Sequence, residues 1–420
     1  MFVGMNSSIQ GISVNRAAVS AGDFLPPWAR GIRIPFNRPS FLGNERVYLE
    51  KALELGWIAG GGYFTLQCQS LLEEHLPGSR VFLTTSGTAA LEMAALLSDV
   101  RPGDRFIAPS FTFSSTVNAF LLRGAVPLFG DIQPDTLNLD PESVQRLLSE
   151  HPDRHRIRAI IVVHYGGISA RMEAFQALAQ EYGIRVIEDN AHGLFGQYRG
   201  IPLGQWSSLA ALSFHETKNL TCGEGGALIV NDSSLTERAE IVREKGTDRS
   251  RFFRGEVSKY QWQDVGSSYA PADLLAALLL AQLEKRELIQ SRRKVLWERY
   301  MKELGPWAME QGIRLPIIPS DCLPSYHLFY LLFPSPQERQ AFVGHLRARG
   351  ILACSHYEPL HLCPKGRELG GKEGDCPVTE WVSPRLVRLP LYYGLSDLEQ
   401  EEILEVVRAW SGVSQKRNVR

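Results

Sequence analysis

From about Val81 to Asp232, short apolar runs alternate with amphipathic stretches, and this alternation limits the fold more than any other feature. "RVFLTTS" reads as a strand and "GTAALEMAALLSDV" as the helix after it. "RFIAPSFT" and "SSTVNAFLLRG" repeat the pair. "AVPLFGDI", "IRAIIVVHYGG", "IRVIEDNAH", "SLAALSFH" and "GGALIVND" are further strands, with "PESVQRLLSE" and "RMEAFQALAQEYG" as helices between some of them. The strand runs are apolar throughout, which requires a sheet covered on both faces. Strand and helix in turn give an α/β domain with a mostly parallel sheet. Ligands of such sheets sit outside the carboxyl ends of the strands.

Four segments follow from the pattern. Residues 1–33 are Ser/Gly/Ala-rich and aperiodic and read as an N-terminal extension. Residues 34–272 form the large α/β domain. Residues 273–313 carry a long helical pattern and read as a connecting helix. Residues 314–420 form a smaller α+β domain, with "HLFYLLF" as a strand and "SDLEQEEILEVVRAW" as the closing helix. The most apolar stretch, Leu274 to Leu283, is too short to span a bilayer and reads as a buried helix segment. A formal net charge of −1 provides no field toward nucleic acid or an anionic membrane. Six irregularly spaced cysteines point to a reducing compartment, so a cytoplasmic location is expected.

The residues able to do chemistry fall at the carboxyl ends of strands. In "TTSGTAA", Gly87 permits close backbone approach, and Ser86 and Thr88 put hydroxyls beside helix N-terminal amides. That is an anion site, although the motif taken alone reads first as an ordinary N-cap. "VIEDNAH" puts Glu188 and Asp189 at the end of a buried strand, where a carboxylate needs a partner; a salt bridge or helix cap explains the segment as well as a ligand does. Phe113 in "SFTF" can cover a flat ring or fill a core. Lys218 in "SFHETKNLTCGEGG" follows an apolar strand and precedes glycines, where burial lowers an amine's pKa and makes it a nucleophile. A phosphate cradle, a strand-end carboxylate, an aromatic plate and a buried lysine together describe a pyridoxal phosphate site.

These motifs, in this order, resemble the DegT/DnrJ/EryC1 sugar aminotransferases. The resemblance runs from about Ile34 to about Trp410 and includes "GWIAGGGYFTLQCQSLLEE", "TSGTAALEMAAL", "PSFTFSSTVNAFLLRGA", "IEDNAH", "SFHETKN", "HYEPLH" and "LPLYYGLS". It implies the fold-type I pyridoxal phosphate architecture, similar to aspartate aminotransferase. It implies that Lys218 holds the cofactor covalently and that Asp189 pairs with the pyridine nitrogen. His192 would lie near the phenolic oxygen, Phe113 on the ring, and Gly87, Thr88 and Ser213 around the phosphate. Tyr357 and His361 would border the sugar pocket, with His215 beside them. Where many relatives have Asn in "GYNYR", this chain has Ser268 in "GSSYA". In relatives that stretch reaches the phosphate of the neighbouring subunit, which implies a homodimer with shared active sites.

"SFHETKN", "REKGTDRSRFFRG" and "DVGSSY" are most similar to the subgroup that aminates dTDP-4-dehydro-6-deoxyglucose, usually with glutamate giving 2-oxoglutarate. The implied partners are that dTDP-linked keto sugar and the amino donor. Arg243, Arg249 and Arg254 are the nearest arginines in sequence for the donor's carboxylate. Sugar dehydratases of the same fold carry histidine in place of the lysine, so Lys218 speaks against them; a non-catalytic regulator of the same fold is the other alternative. Cys354, His356, His361 and Cys363 are all possible metal ligands, but their spacing is not a tight paired motif and no metal is expected.

Overall fold

The computed structural model describes residues 30–412; most of the expected N-terminal extension lies outside them. A seven-stranded sheet forms the large domain: β1 (Arg80–Thr84), β2 (Arg105–Pro109), β3 (Val126–Gly130), β4 (Ile157–Val163), β5 (Arg185–Asp189), β8 (Leu209–Ser213) and β9 (Gly226–Val230), in the order β1-β9-β8-β5-β4-β2-β3. Only β9 runs against its neighbours; the other pairings within the sheet are parallel. Between β5 and β8, a small side sheet joins β6 (Gln197–Tyr198) and β7 (Ile201–Pro202) to β10 (Cys322–Leu323). The described cysteines are all free.

The uniformly apolar strands are explained by cover on both faces. Phe82, Phe106, Ala108, Ile161, Ile187, Ala211 and Leu228 pack into one core with helices Gly87–Leu97, Ser115–Leu121 and Thr236–Arg243. Their neighbours in sequence, Val81, Leu83, Ala210, Leu212 and Ile229, point the other way, onto helices Tyr63–His75 and Asp273–Glu284. Ile107, Ile160, Val162 and Val186 do the same against helices Pro141–Glu150 and Met172–Tyr182. The period of two thus holds across the sheet.

The segment expected as one connecting helix is two helices with different allegiances. Asp273–Glu284 belongs to the large domain's core, and its Asp273 carboxylate accepts from the amides of Phe64 and Thr65. The chain breaks at Lys285. Helix Arg286–Glu310 then packs Leu296, Trp297, Tyr300 and Leu304 into the small-domain core. That core also takes β11 (Phe329–Leu332), β12 (Leu386–Leu389) and helix Asp397–Arg408. The antiparallel pair β11–β12, with Leu328 just before it, presents Tyr330, Leu332 and Leu386 to Phe111, Ile132 and Tyr165 of the large domain. This seam borders the site described below.

Close approach at one place joins the sheet to the helix that follows β1. A Cβ on Gly226 would lie 2.3 Å from the Ser86 carbonyl carbon and 2.4 Å from the Gly87 nitrogen. Gly226→Ala is therefore expected to cost about 2 kcal/mol or more in denaturant unfolding of the cofactor-free protein, as overpacking does. Gly305→Ala, in a helix where a Cβ meets nothing within 4 Å, should be neutral or stabilising.

Candidate active site

The carboxyl ends of β1, β2, β5 and β8 open onto one cavity of about 520 Å³. Its lining includes Gly87, Thr88, Phe113, Asp189, His192, Ser213, His215, Lys218 and Tyr357, so nine of the expected site residues meet in one place. Two do not line it. His361 is fully buried, and its ring nitrogens are engaged with Ser110 Oγ at 2.5 Å and Glu380 Oε1 at 2.9 Å. It braces a turn and has no free nitrogen for a sugar. Ser268 bridges to Glu244 instead of lining this chain's own cavity.

Strand parity separates the adjacent carboxylates of β5. Glu188 is fully buried away from the cavity and accepts from the amides of Gly204 and Ser207 and from Ser207 Oγ. It also bonds His164 Nε2 at 2.9 Å. Its lone pairs are thus taken by the fold. Asp189 lines the cavity, with Oδ2 accepting from Thr116 Oγ1 at 2.7 Å and Oδ1 from the Ala191 amide at 3.2 Å. A carboxylate held by two donors keeps room for a third.

Lys218 sits on a loop between antiparallel neighbours β8 and β9. The loop's base is closed by Phe214 N–H to Gly225 O at 2.7 Å and Cys222 N–H to Phe214 O at 3.1 Å. Burial pushes the Lys218 amine down to about 8; the Asp189 charge opposes this and Arg388 adds to it. The lysine therefore has a substantial neutral, nucleophilic fraction near neutral pH.

Ser86 caps the helix after β1, its Oγ accepting from the Ala89 amide at 3.0 Å. The first helical amides have no intrahelical acceptor, and the helix dipole favours an anion there. A Cβ on Gly87 would meet Ser213 Cβ at 2.9 Å, so β8 and this helix end press together around the cavity. Thr88 Oγ1 and Ser115 Oγ, 2.8 Å apart, add hydroxyls. Phe113 is 60% exposed and offers a ring face beside the carboxylate.

Three histidines of the lining bear on its electrostatics. His192 Nδ1 accepts from the Gly166 amide at 3.3 Å, so its proton is on Nε2. His327 stacks on it at 4.2 Å and donates from Nδ1 to Asn219 Oδ1 at 2.8 Å. His356 lies parallel at 6.1 Å and stacks on Tyr357 at 3.8 Å. Burial, with the charges of Lys218 and Arg388 among the lesser causes, holds all three well below the usual imidazole value. Thr116, His327 and Arg388 line the cavity but were missed by the sequence reading, which weighed His356 only as a metal ligand. Thr116 follows a marked motif by three residues, whereas His327 and Arg388 sit in apolar strand sequence of the small domain.

The three candidate arginines lie outside the cavity lining. Arg254 pairs with Glu240 and Glu256, Arg249 lies 3.8 Å from Glu244 and over the Phe253 ring, and Arg243 is buried outside the cavity lining. Cys354, His356, His361 and Cys363 do not converge: among the described residues no group of three or more His, Cys, Asp or Glu could hold a metal.

Pyridoxal phosphate fits this set. The helix end with Gly87, Thr88 and Ser213 suits the phosphate, Asp189 the pyridinium, Phe113 the ring face and Lys218 the aldehyde carbon. Comparisons with known proteins agree. The model of the DegT/DnrJ/EryC1/StrS aminotransferase family matches residues 42–408. The chain is 30% identical over 393 residues to the uncharacterized protein MJ1066 of Methanocaldococcus jannaschii, covering 92% of this chain and 96% of that protein. Among solved structures it is similar to the aminotransferase TlmJ from Streptoalloteichus hindustanus, with a TM-score of 0.80 and 29% identity over 90% of this chain and 98% of that one. It is also similar to the putative sugar aminotransferase Spr1654 from Streptococcus pneumoniae in its PMP form, with a TM-score of 0.81 and 26% identity over 91% and 99% of the two chains.

The lowered amine yields a test that needs no turnover. The rate at which cofactor-free protein captures pyridoxal phosphate covalently should rise with pH and level off above a midpoint near 8. Lys218→Ala should leave no borohydride-trappable cofactor. A rate that keeps climbing past pH 10, or trapping in the variant, contradicts the assignment.

Proposed function

The chain belongs to the DegT/DnrJ/EryC1/StrS aminotransferase family, whose members depend on pyridoxal phosphate, and from that premise we propose its substrate. The enzyme is a sugar aminotransferase. In our reading it aminates C4 of dTDP-4-dehydro-6-deoxyglucose in the cytoplasm, with glutamate as donor, and yields dTDP-4-amino-4,6-dideoxygalactose. The observation that carries the reading of the site is the meeting of Lys218, Asp189 and the Gly87–Thr88 helix end in one cavity. The sugar rests on the similarity of "SFHETKN", "REKGTDRSRFFRG" and "DVGSSY" to the subgroup with that substrate.

When bound, pyridoxal phosphate supplies an electron sink for the carbanion left at the donor's α-carbon. The residues do the rest. Asp189 holds the proton on the pyridine nitrogen by pairing with its charge. Its own place is fixed by Thr116 and the Ala191 amide. Lys218, once its amine is released by the incoming donor, takes the proton from the donor's α-carbon. In the second half-reaction it returns a proton to C4 of the sugar. One cavity serves both half-reactions, which implies ping-pong kinetics. His192 directs its Nε2 proton as a neutral donor, suited to a phenolic oxygen. His215 and Tyr357 border the space left for the sugar. The nucleotide supplies binding energy remote from the reacting carbon.

A homodimer with shared sites completes the proposal. Trp57, Phe253, Phe252 and Tyr260 form an exposed chain of ring contacts. Trp262, 80% exposed, and Ser268 lie on the segment that follows. An exposed apolar surface of this kind suits a second copy.

Three measurements test these points. Proton couplings of the purified product decide the epimer: small couplings at H4 mean the axial, galacto amine, and large ones overturn it. Asp189→Asn should lower kcat at least about 100-fold, or about 2.7 kcal/mol of barrier, with the loss in the chemical step. Co-assembled Lys218→Ala and Ser268→Tyr chains, each inactive alone, should regain partial activity; a fully active monomer in sedimentation rules out the shared site.

A further inference from the structure

The steps above assign no work to Glu224, a carboxylate on the cavity lining. It lies in "CGEGG", on the return from Lys218 to β9, with glycine on both sides. Gly223 has a φ of +87°. A Cβ on Gly225 would lie 2.5 Å from Cys222 Sγ. The Phe214 amide donates to the Gly225 carbonyl at 2.7 Å, and Cys222 Sγ to the Glu224 carbonyl at 3.3 Å. The backbone of Glu224 is therefore held, while its side chain is 66% exposed. Among the described residues no hydrogen-bond donor reaches its carboxylate.

His215 stands beside it, with Nε2 3.7 Å from Glu224 Oε1. The Thr217 amide donates to His215 Nδ1 at 3.3 Å, and Thr217 Oγ1 lies 2.9 Å from the same nitrogen. An amide can only donate, so Nδ1 keeps its lone pair and the ring proton is on Nε2. The imidazole is neutral in this arrangement, and its contact with Glu224 is not an ion pair. The separation is also too long for a direct N–H···O bond. The two side chains thus present a donor and an acceptor to the cavity with a gap between them. The gap suits one atom that accepts from Nε2–H and donates to Oε1. A hydroxyl does both. A carboxylate or phosphate oxygen only accepts and meets the charge of Glu224; an ammonium only donates and meets Nε2–H.

We propose that His215 and Glu224 together hold one ring hydroxyl of the keto sugar, an inference that rests on the sugar aminotransferase reading of the cavity. The hydroxyl oxygen accepts from His215 Nε2–H, and the hydroxyl proton is donated to Glu224. The neighbouring polar groups have other tasks. Asp189 faces the ring nitrogen, the helix end at Gly87 and Thr88 takes the phosphate, and Thr217 is spent on orienting His215. His215 precedes Lys218 and Glu224 follows it on one loop, whose stems β8 and β9 are paired. A hydroxyl held there fixes the sugar relative to the amine that moves the proton at C4. A 4-keto-6-deoxy sugar joined to its nucleotide through C1 has free hydroxyls at C2 and C3 only, so the pair reads one of these two. It also reads configuration, because the epimer at that carbon points its hydroxyl away from the gap.

The test is equilibrium binding of dTDP-4-dehydro-6-deoxyglucose to the enzyme loaded with pyridoxal phosphate, a form that has no amino group to transfer to it. dTDP is the reference, because it has the nucleotide and lacks the sugar. Loss of a hydrogen bond to a charged group corresponds to roughly 10-fold or more in affinity. Glu224→Ala should weaken keto sugar binding by that factor and leave dTDP and pyridoxal phosphate at their wild-type affinities. Glu224→Gln keeps an acceptor and should recover part of the loss. With one of the 2-deoxy and 3-deoxy analogues, the one that lacks the bridging hydroxyl, wild type and Glu224→Ala should bind equally. Three outcomes overturn the inference and leave the acceptor standing: Glu224→Ala that binds the keto sugar as tightly as wild type, an equal loss for dTDP, or a loss that persists with both deoxy analogues. Wild-type protein that binds neither the keto sugar nor dTDP overturns the proposed acceptor, and the inference with it.

Discussion

A carboxylate cannot stay charged at the end of a buried strand unless donors hold it, and the site is organised around meeting that need for Asp189. Thr116 donates to it at 2.7 Å. Thr112, 2.8 Å from Thr116, must then be the donor of that pair. The Ala191 amide supplies another bond at 3.2 Å. The loop after β2 and the turn after β5 are therefore fixed relative to one another by one acid. Because the protein leaves lone pairs open on the cavity side, the acid can accept a further N–H there as well as serve as a structural cap.

The sheet then supplies what the acid alone cannot. Parallel strands bring their carboxyl ends to one edge, so the helix end after β1, Phe113 after β2 and Lys218 after β8 all face the same space. The antiparallel β9 returns the chain past Ser86 and Gly87, and only a glycine at 226 lets it do so. The small domain closes the other side. Its β12 brings Arg388 to the cavity that Lys218 lines, and His192, His327 and His356 line it as well, His327 and His356 each parallel to His192.

Much of this was legible in the sequence because it rests on local pattern. Apolar runs alternating with amphipathic ones announce a covered parallel sheet, and Lys218 stands out as a lysine between an apolar strand and "GEGG". What stayed hidden depends on parity and long-range contact. "VIED" does not tell which carboxylate faces the ligand; the register of β5 does, sending Glu188 to Ser207 and His164. "HYEPLH" presents two histidines that look alike, yet His356 lines the cavity and His361 is tied to Ser110 and Glu380. "LVRLP" reads as a strand with one stray charge until the small domain docks. The helical pattern from 273 to 313 hides its break because neither glycine nor proline marks the junction at Lys285 where the two helices meet.

The central claim is that Asp189 is the acid that keeps a bound pyridine ring protonated. The nitrogen-15 chemical shift of ring-labelled pyridoxal phosphate, measured on the loaded enzyme, tests it most directly. The account predicts a protonated ring nitrogen in the wild type across neutral pH and an unprotonated one in Asp189→Asn. An unprotonated ring in the wild type, or a shift that the variant leaves unchanged, would contradict it.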